Sequence, residues 1–380
     1  MSALLLSAVL LAVPGAGGLG EAKQVKAMWV ARWSITSPER VTRIIELAKK
    51  HGYNALIVQV RGRGDAFYKS RFEPRAEDLA DQPPDFDPLQ MLVDEGHKAG
   101  IQVHAWLNAY FTWGSSRKPV SPDHIVNKHP DWLMRTRDGE VTMTAAGQTE
   151  GAYTCPSEPE ARKHMAACFL DVAEHYAVDG IHFDFVRYPS RDYCYCDGCL
   201  ARFKDCLSKR VPAEELAAIS GLEDRAALTV VYWREWDEWR RQQVTSLVAA
   251  VYKRAKALKP KLVVSAAVFA NSDDAYSHRF QDWKRWLAEG RLDLLCPMAY
   301  STDTDTVVSQ VSDAVSNSNG RPVWAGIGAW RISPESTAEK ISRVTPLGVK
   351  GTILFSYGGV TNEGASEEFL DKLDRTLAAP

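Results

Sequence analysis

From about Val25 to the end of the chain one pattern recurs eight times: a short apolar run that reads as a strand, then a segment with helical periodicity. No other feature of the sequence limits the fold so strongly. When strands alternate with helices, each helix carries the chain back and successive strands lie parallel. Eight is the number at which such a sheet closes into a (β/α)8 TIM barrel, whereas an open doubly wound sheet has no reason to stop there. The predicted strands are 25–32, 55–61, 102–108, the run inside 178–189, 262–269, 292–300, 322–329 and 351–357. Punctuation agrees with them. Ser37 and Pro38 open the first helix and Gly52 ends it, Gly100 closes the second, and Pro260 stops a long helix predicted over 229–258. Two connections are much longer than ordinary loops: about 109–157 after strand three and 190–227 after strand four. Insertions of that length in a compact domain tend to carry function.

The chain has 380 residues, 45% hydrophobic and 25% charged, with a net charge of −2. That is enough for a full core. Near-neutral charge without basic runs excludes nucleic acid as an expected partner. No Gly-rich phosphate loop follows strand one, which counts against a nucleotide site. Met1–Gly20 is apolar, and 4–13 has the length of a signal-peptide h-region. Residues 1–20 are therefore predicted to be a signal peptide or a disordered segment, and the protein to be secreted or periplasmic. The run is shorter than the ~20 residues that span a bilayer, so stable membrane insertion is not expected. Residues 21–380 read as one domain, and no pattern specifies an oligomer.

Barrel enzymes keep their chemistry at the carboxyl ends of the strands. In strand four, V-D-G-I-H-F-D-F-V-R-Y-P, Ile181, Phe183 and Phe185 point one way and His182 and Asp184 the other, with Arg187 close behind. The other strand exits supply Arg61 and Tyr68, Trp106 and Asn108, Tyr300 and Asp303, Trp330, and Tyr357. Polar groups among aromatic rings suit a sugar, so these residues are the expected polysaccharide contacts. His104 and His182 sit mid-strand and read as barrel interior. Asp179 and Asp293 begin their strands and belong at the opposite face. Trp239 and Arg240 lie on a Trp-rich helix stretch. They read either as a packed helix end or as a second rim, with Arg240 reaching toward Asp184.

Seven cysteines include C-Y-C-D-G-C. In an exported protein, disulfides are the first expectation. A structural zinc at Cys194, Cys196, Cys199 and Cys206 is the second. Cys155 is a further candidate for bridging. No histidine stands at ligand spacing, so neither a cofactor nor a catalytic metal is expected.

The strand-four run, together with W-V-A-R-W, V-R-G-R-G-D-A-F-Y, H-A-W-L-N, H-P-D-W-L and C-P-M-A-Y, resembles the family-10 glycosyl-hydrolase-like proteins from Lys26 onward. The resemblance implies a (β/α)8 barrel, bacterial export, and glycosidic cleavage in a cell-wall or related amino-sugar polysaccharide such as peptide-free peptidoglycan. It places the family's strand-four acid on Asp184. Family-18 chitinases are similar at a greater distance, but His182 replaces one of their aspartates and Val186–Arg187 stands where their acidic glutamate belongs. Glycosidases ordinarily need two carboxyls unless the substrate assists. Asp184 is the first, and Asp303 is the expected second. Glu73, Asp65 and the pair Asp273 and Asp274 are alternatives. A non-catalytic carbohydrate-binding barrel is the competing function.

Overall fold

The computed structural model describes residues 24–379. The signal-peptide expectation for Met1–Gly20 lies outside them. Eight parallel strands close a barrel in sequential order: Val25–Val30, Ala55–Arg61, Gln102–Asn108, Gly180–Asp184, Val263–Phe269, Leu294–Ala299, Trp324–Ile327 and Gly351–Phe355. The first strand pairs with the eighth, Val25 opposite Gly351. The period of two divides the apolar residues into two cores. Met28, Val30, Leu56, Val58 and Phe183 face outward and pack under the helices. Trp29, Ile57, Trp106, Cys296, Trp324 and Ile353 fill the barrel interior. Room inside is bought with glycine. A Cβ on Gly326 would stand 2.7 Å from the Trp29 ring, and one on Gly180 would stand 2.3 Å from His104 Nδ1.

The helix ends follow their caps. The Ser37 side chain accepts from Arg40 N–H at the start of Pro38–Lys50, and Asp87 accepts from Gln90 N–H at the start of Pro88–Lys98. Asp179 and Asp293 lie at the amino-terminal face, as their positions implied. Asp179 accepts from Val103 N–H (2.8 Å) and Asp293 from Val264 N–H (3.0 Å), each lacing two neighbouring strands. Both predicted interior histidines are buried. His182 Nδ1 bonds Ser265 Oγ (2.8 Å), and its Nε2 accepts from Trp29 Nε1 (3.3 Å).

Several boundaries differ from expectation, and the last three strands are each shorter than predicted, at Leu294–Ala299, Trp324–Ile327 and Gly351–Phe355. Strand one stops at Val30, because Arg32–Ile35 turns as a 3-10 helix. Strand four stops at Asp184, because Phe185 takes φ +48° and ends the extended backbone. The helix predicted over 229–258 divides into Ala227–Val231 and Trp233–Leu258. The insertions are structured. The first folds back as a ribbon in which Phe111 lies opposite Tyr153, and the second carries helices Asp197–Leu207 and Ala213–Ser220. No helix among the described residues is long and apolar enough to cross a membrane.

Candidate functional site

A cavity of about 260 Å³ opens at the carboxyl ends of the strands, close to the lower end of the ~300–1,000 Å³ common for small-ligand sites. Its polar residues are Arg32, Gln59, Asn108, Asp184, Arg187 and Tyr300, set among Trp29, Trp33, Trp106, Phe111, Phe185 and Phe355. A larger depression, about 560 Å³, lies on the outer surface between Pro88–Lys98 and Pro159–His175, away from the strand exits.

Asp184 is the last residue of strand four and points into the cavity from its floor. Oδ1 accepts from Phe185 N–H at 2.6 Å. Burial opposes the carboxylate; Arg187 and the Phe185 N–H favour it, and Glu150 opposes it further. The balance leaves Asp184 raised to about 6. The reversal at Phe185 lets the chain double back, so that the Arg187 guanidinium sits 4.1 Å over the Phe185 ring. Arg187 Nη1 is 3.6 Å from Asp184 Oδ1, and Nη2 donates to Glu150 Oε1 at 3.1 Å. Tyr153 donates its hydroxyl to Glu150 on the other side. One guanidinium touches both carboxyls, so the two stand no more than roughly 9 Å apart, below the ~9.5 Å upper limit for glycosidase acid pairs.

Strands two and three supply the adjoining wall, Asn108 lying in register beside Asp184. Trp106 Nε1 (2.8 Å) and Gln59 Nε2 (3.3 Å) both donate to Asn108 Oδ1, and Asn108 Nδ2 donates to Gly62 O (2.7 Å). These bonds fix the orientation of the Asn108 amide. Tyr300 completes the cluster from strand six, edge-on to Trp29 with ring centres 6.1 Å apart. Trp330, predicted at the rim, sits one layer out. It is 42% exposed and edge-on to Tyr300 and Phe355 at 5.1 Å.

The structure thus brings together Asp184, Arg187, Trp106, Asn108 and Tyr300. The other expected site residues lie elsewhere. Asp303 is exposed and caps helix Thr304–Ser316, accepting from Thr306 N–H (2.8 Å); the Thr306 hydroxyl and N–H hold it below its ordinary value. Arg61 is fully buried and makes a bidentate pair with Glu73, both contacts at 2.7 Å, while its Nη1 donates to Asn108 O. It supports the backbone beside the cavity. Glu73 is occupied by that pair. Burial opposes its charge, but Arg61 and His164 outweigh burial and bring it down to about 2. Asp65 is buried beside Arg63 (3.2 Å). Asp273 and Asp274 lie in the first turn of the short helix Ser272–Ser277. Tyr68 is buried against Tyr176, with ring centres 5.8 Å apart. The Tyr357 hydroxyl fills the space that a side chain on Gly364 would need.

Trp239 and Arg240 follow the packing alternative. Trp239 stacks on Trp236 at 5.1 Å. The partner of Arg240 is Asp237 (2.7 Å), not Asp184, and Arg240 also donates to the carbonyls of Tyr193 (2.7 Å) and Arg191 (2.9 Å). Cys206 lies apart from the other cysteines of its insertion. The sulfurs grouped together are those of Cys155, Cys194, Cys196 and Cys199.

Glu150 is the residue that sequence reasoning missed. It sits in an insertion without periodicity, G-Q-T-E-G-A-Y, and only the ribbon pairing swings it over strand four. The length of that insertion was the one available signal.

Comparison with known proteins agrees with the barrel. The sequence pattern of the family described as Glycosyl hydrolase-like 10 matches residues 24–330. Glycosyl hydrolase YngK of Bacillus subtilis is 26% identical over 93% of this chain and 72% of its own length. Glycosyl hydrolase DigH of Escherichia coli K12 is 26% identical over 76% of this chain, which spans just under two thirds (65%) of that relative. Among solved structures, the PgaB (BpsB) glycoside hydrolase domain of Bordetella bronchiseptica superposes with a TM-score of 0.66 at 15% identity, covering 92% of this chain and 99% of that one. The catalytic domain of a β-amylase from Paenibacillus polymyxa gives 0.67 at 14% identity, over 94% and 99%. At such identities the structural likeness speaks for the fold.

Proposed function

The chain belongs to the glycosyl hydrolase-like 10 family, and from that premise we propose that it is a secreted or periplasmic glycoside hydrolase acting on a bacterial cell-wall or related amino-sugar polysaccharide. The observation that carries the reading is the raised Asp184 carboxyl on the floor of an aromatic cavity, with Glu150 held across Arg187. An acid near 6 keeps its proton at mildly acidic pH and is still strong enough to give it up. Asp184 donates that proton to the glycosidic oxygen as the bond to the leaving sugar breaks. Glu150, in place of the expected Asp303, serves as the second carboxylate, acting on water or on the sugar itself.

Two features support the substrate class. Trp33 is 47% exposed at the mouth and offers an apolar face to a sugar ring. Arg187 Nε and Nη1 are buried without a hydrogen-bond acceptor, which leaves donors for an acyl or carboxyl substituent on the sugar. Incubating the purified protein with peptide-free peptidoglycan strands, chito-oligosaccharides and neutral glycans, with mass-spectrometric detection, tests the proposal. Shortened amino-sugar chains are expected. Binding without cleavage would instead assign the protein as a carbohydrate-binding barrel.

A further inference from the structure

Four buried cysteines converge from two different insertions. Cys155 ends the segment that follows strand three, and Cys194, Cys196 and Cys199 belong to the insertion after strand four. Their sulfurs all lie within 4.8 Å of one another, with Cys155 to Cys199 and Cys155 to Cys196 both at 3.9 Å. Around one tetrahedral Zn²⁺ with Zn–S near 2.3 Å, sulfurs stand roughly 3.8 Å apart. A disulfide needs its two sulfurs at about 2.05 Å, well short of the 3.9 Å that separates these.

We propose that Cys155, Cys194, Cys196 and Cys199 form a structural tetrathiolate zinc site that clamps the two insertions together. Cys206, the expected fourth ligand, is outside it.

The surroundings fit thiolates. Cys196 stands at the N-cap position of the helix Asp197–Leu207 and Cys199 lies in its first turn, where the helix dipole favours negative charge. Ser157 Oγ stands 3.2 Å from Cys155 Sγ and 3.3 Å from Cys199 Sγ, and Arg202 donates to that same hydroxyl. Loading the site with Zn²⁺ releases thiol protons to water, so acid should unload it.

The clamp bears on the cavity. Cys155 directly follows Thr154, whose N–H binds Tyr110 O (2.8 Å), and Tyr153, whose hydroxyl holds Glu150. Arg240 secures the other side through the Tyr193 carbonyl, one residue before Cys194. The site thus fixes the segment that presents Glu150.

Metal analysis of the full chain is the test. About one zinc per chain is expected in the wild type and in Cys206→Ser, and none in Cys155→Ser. Should Cys155→Ser fail to fold, wild type reconstituted with Co²⁺ should show the strong visible and near-ultraviolet absorption of a tetrathiolate. Intact mass that rises on reduction, showing disulfides, would overturn the site, as would iron in place of zinc or featureless cobalt spectra. Chelation should also lower turnover by loosening Glu150. That arm alone rests on the proposed hydrolase reading, since zinc content and cobalt spectra are read without any activity.

Discussion

Arg187 Nη1 lies 3.6 Å from Asp184 Oδ1, close enough to act on its charge but too far for a good hydrogen bond. The guanidinium instead bonds Glu150. Asp184 is therefore only partly compensated for its burial and keeps its proton to a higher pH than a direct salt bridge would allow.

Asp184→Asn should lower turnover by about 10²-fold or more if Asp184 is the acid, with glycan binding retained. The same substitution should raise stability at neutral pH. The folded value, about 6, lies above the unfolded 3.8, so the native state binds more protons in between, and wild-type stability falls as pH rises from 4 to 6. Asparagine avoids that loss. A gain of about 3 kcal/mol is expected at pH 7, disappearing near pH 4. Paired melting curves at the two pH values check it. Equal melting of the two proteins at pH 7 would contradict the raised value.

Glu150→Gln should shift the pH–rate profile as well as reduce turnover. Glu150 opposes ionisation of Asp184, and its loss frees Arg187 to favour the Asp184 carboxylate. Both effects lower the Asp184 value, so the alkaline limb of the profile should move to lower pH. An alkaline limb left in place would remove Glu150 from the site.

Asp303→Asn should leave turnover and melting temperature unchanged, because asparagine caps a helix as well as aspartate does. Asp303→Ala should lower the melting temperature without touching turnover. Lost activity in both variants would restore Asp303 as a catalytic candidate.

Arg61→Ala should behave as a folding variant. It strands Glu73 in a buried site, at a cost of about 3–5 kcal/mol. Denaturant unfolding measures the loss. A stable variant with only a raised KM would return Arg61 to the substrate.

Acid should destabilise the barrel through its histidines. Burial lowers His182 to about 3 and His104 to about 4, so between those values and 6.5 the unfolded chain binds more protons than the native one. Their stabilisation is present above pH 6.5 and is lost as pH falls, by up to ~1.4 kcal/mol per pH unit for each group. Together they outweigh the opposite trend of Asp184. His182→Gln, which keeps an acceptor for Trp29, should flatten the dependence in a pH series of melts.

Much of this architecture was legible in the chain itself. Strand and helix periods are local, so eight units, their caps, and the inward direction of Trp106, Asn108 and Asp184 followed from spacing alone. Asp179 and Asp293 were placed at the far face for the same reason. Tertiary structure decided what spacing does not encode, namely which side chains meet across insertions. Asp303 and Glu150 both follow barrel strands, yet one is spent on a helix cap and the other is carried over Asp184 by the pairing of Phe111 with Tyr153. Arg61 and Arg240 are cations near the rim in sequence, but each has a nearer acidic partner, Glu73 and Asp237, that claims it in the core. Cys155 joins Cys199 across 44 positions of sequence, while the closer Cys206 does not. Local patterns set the direction of a side chain, and only the closed barrel with its folded insertions sets its neighbours.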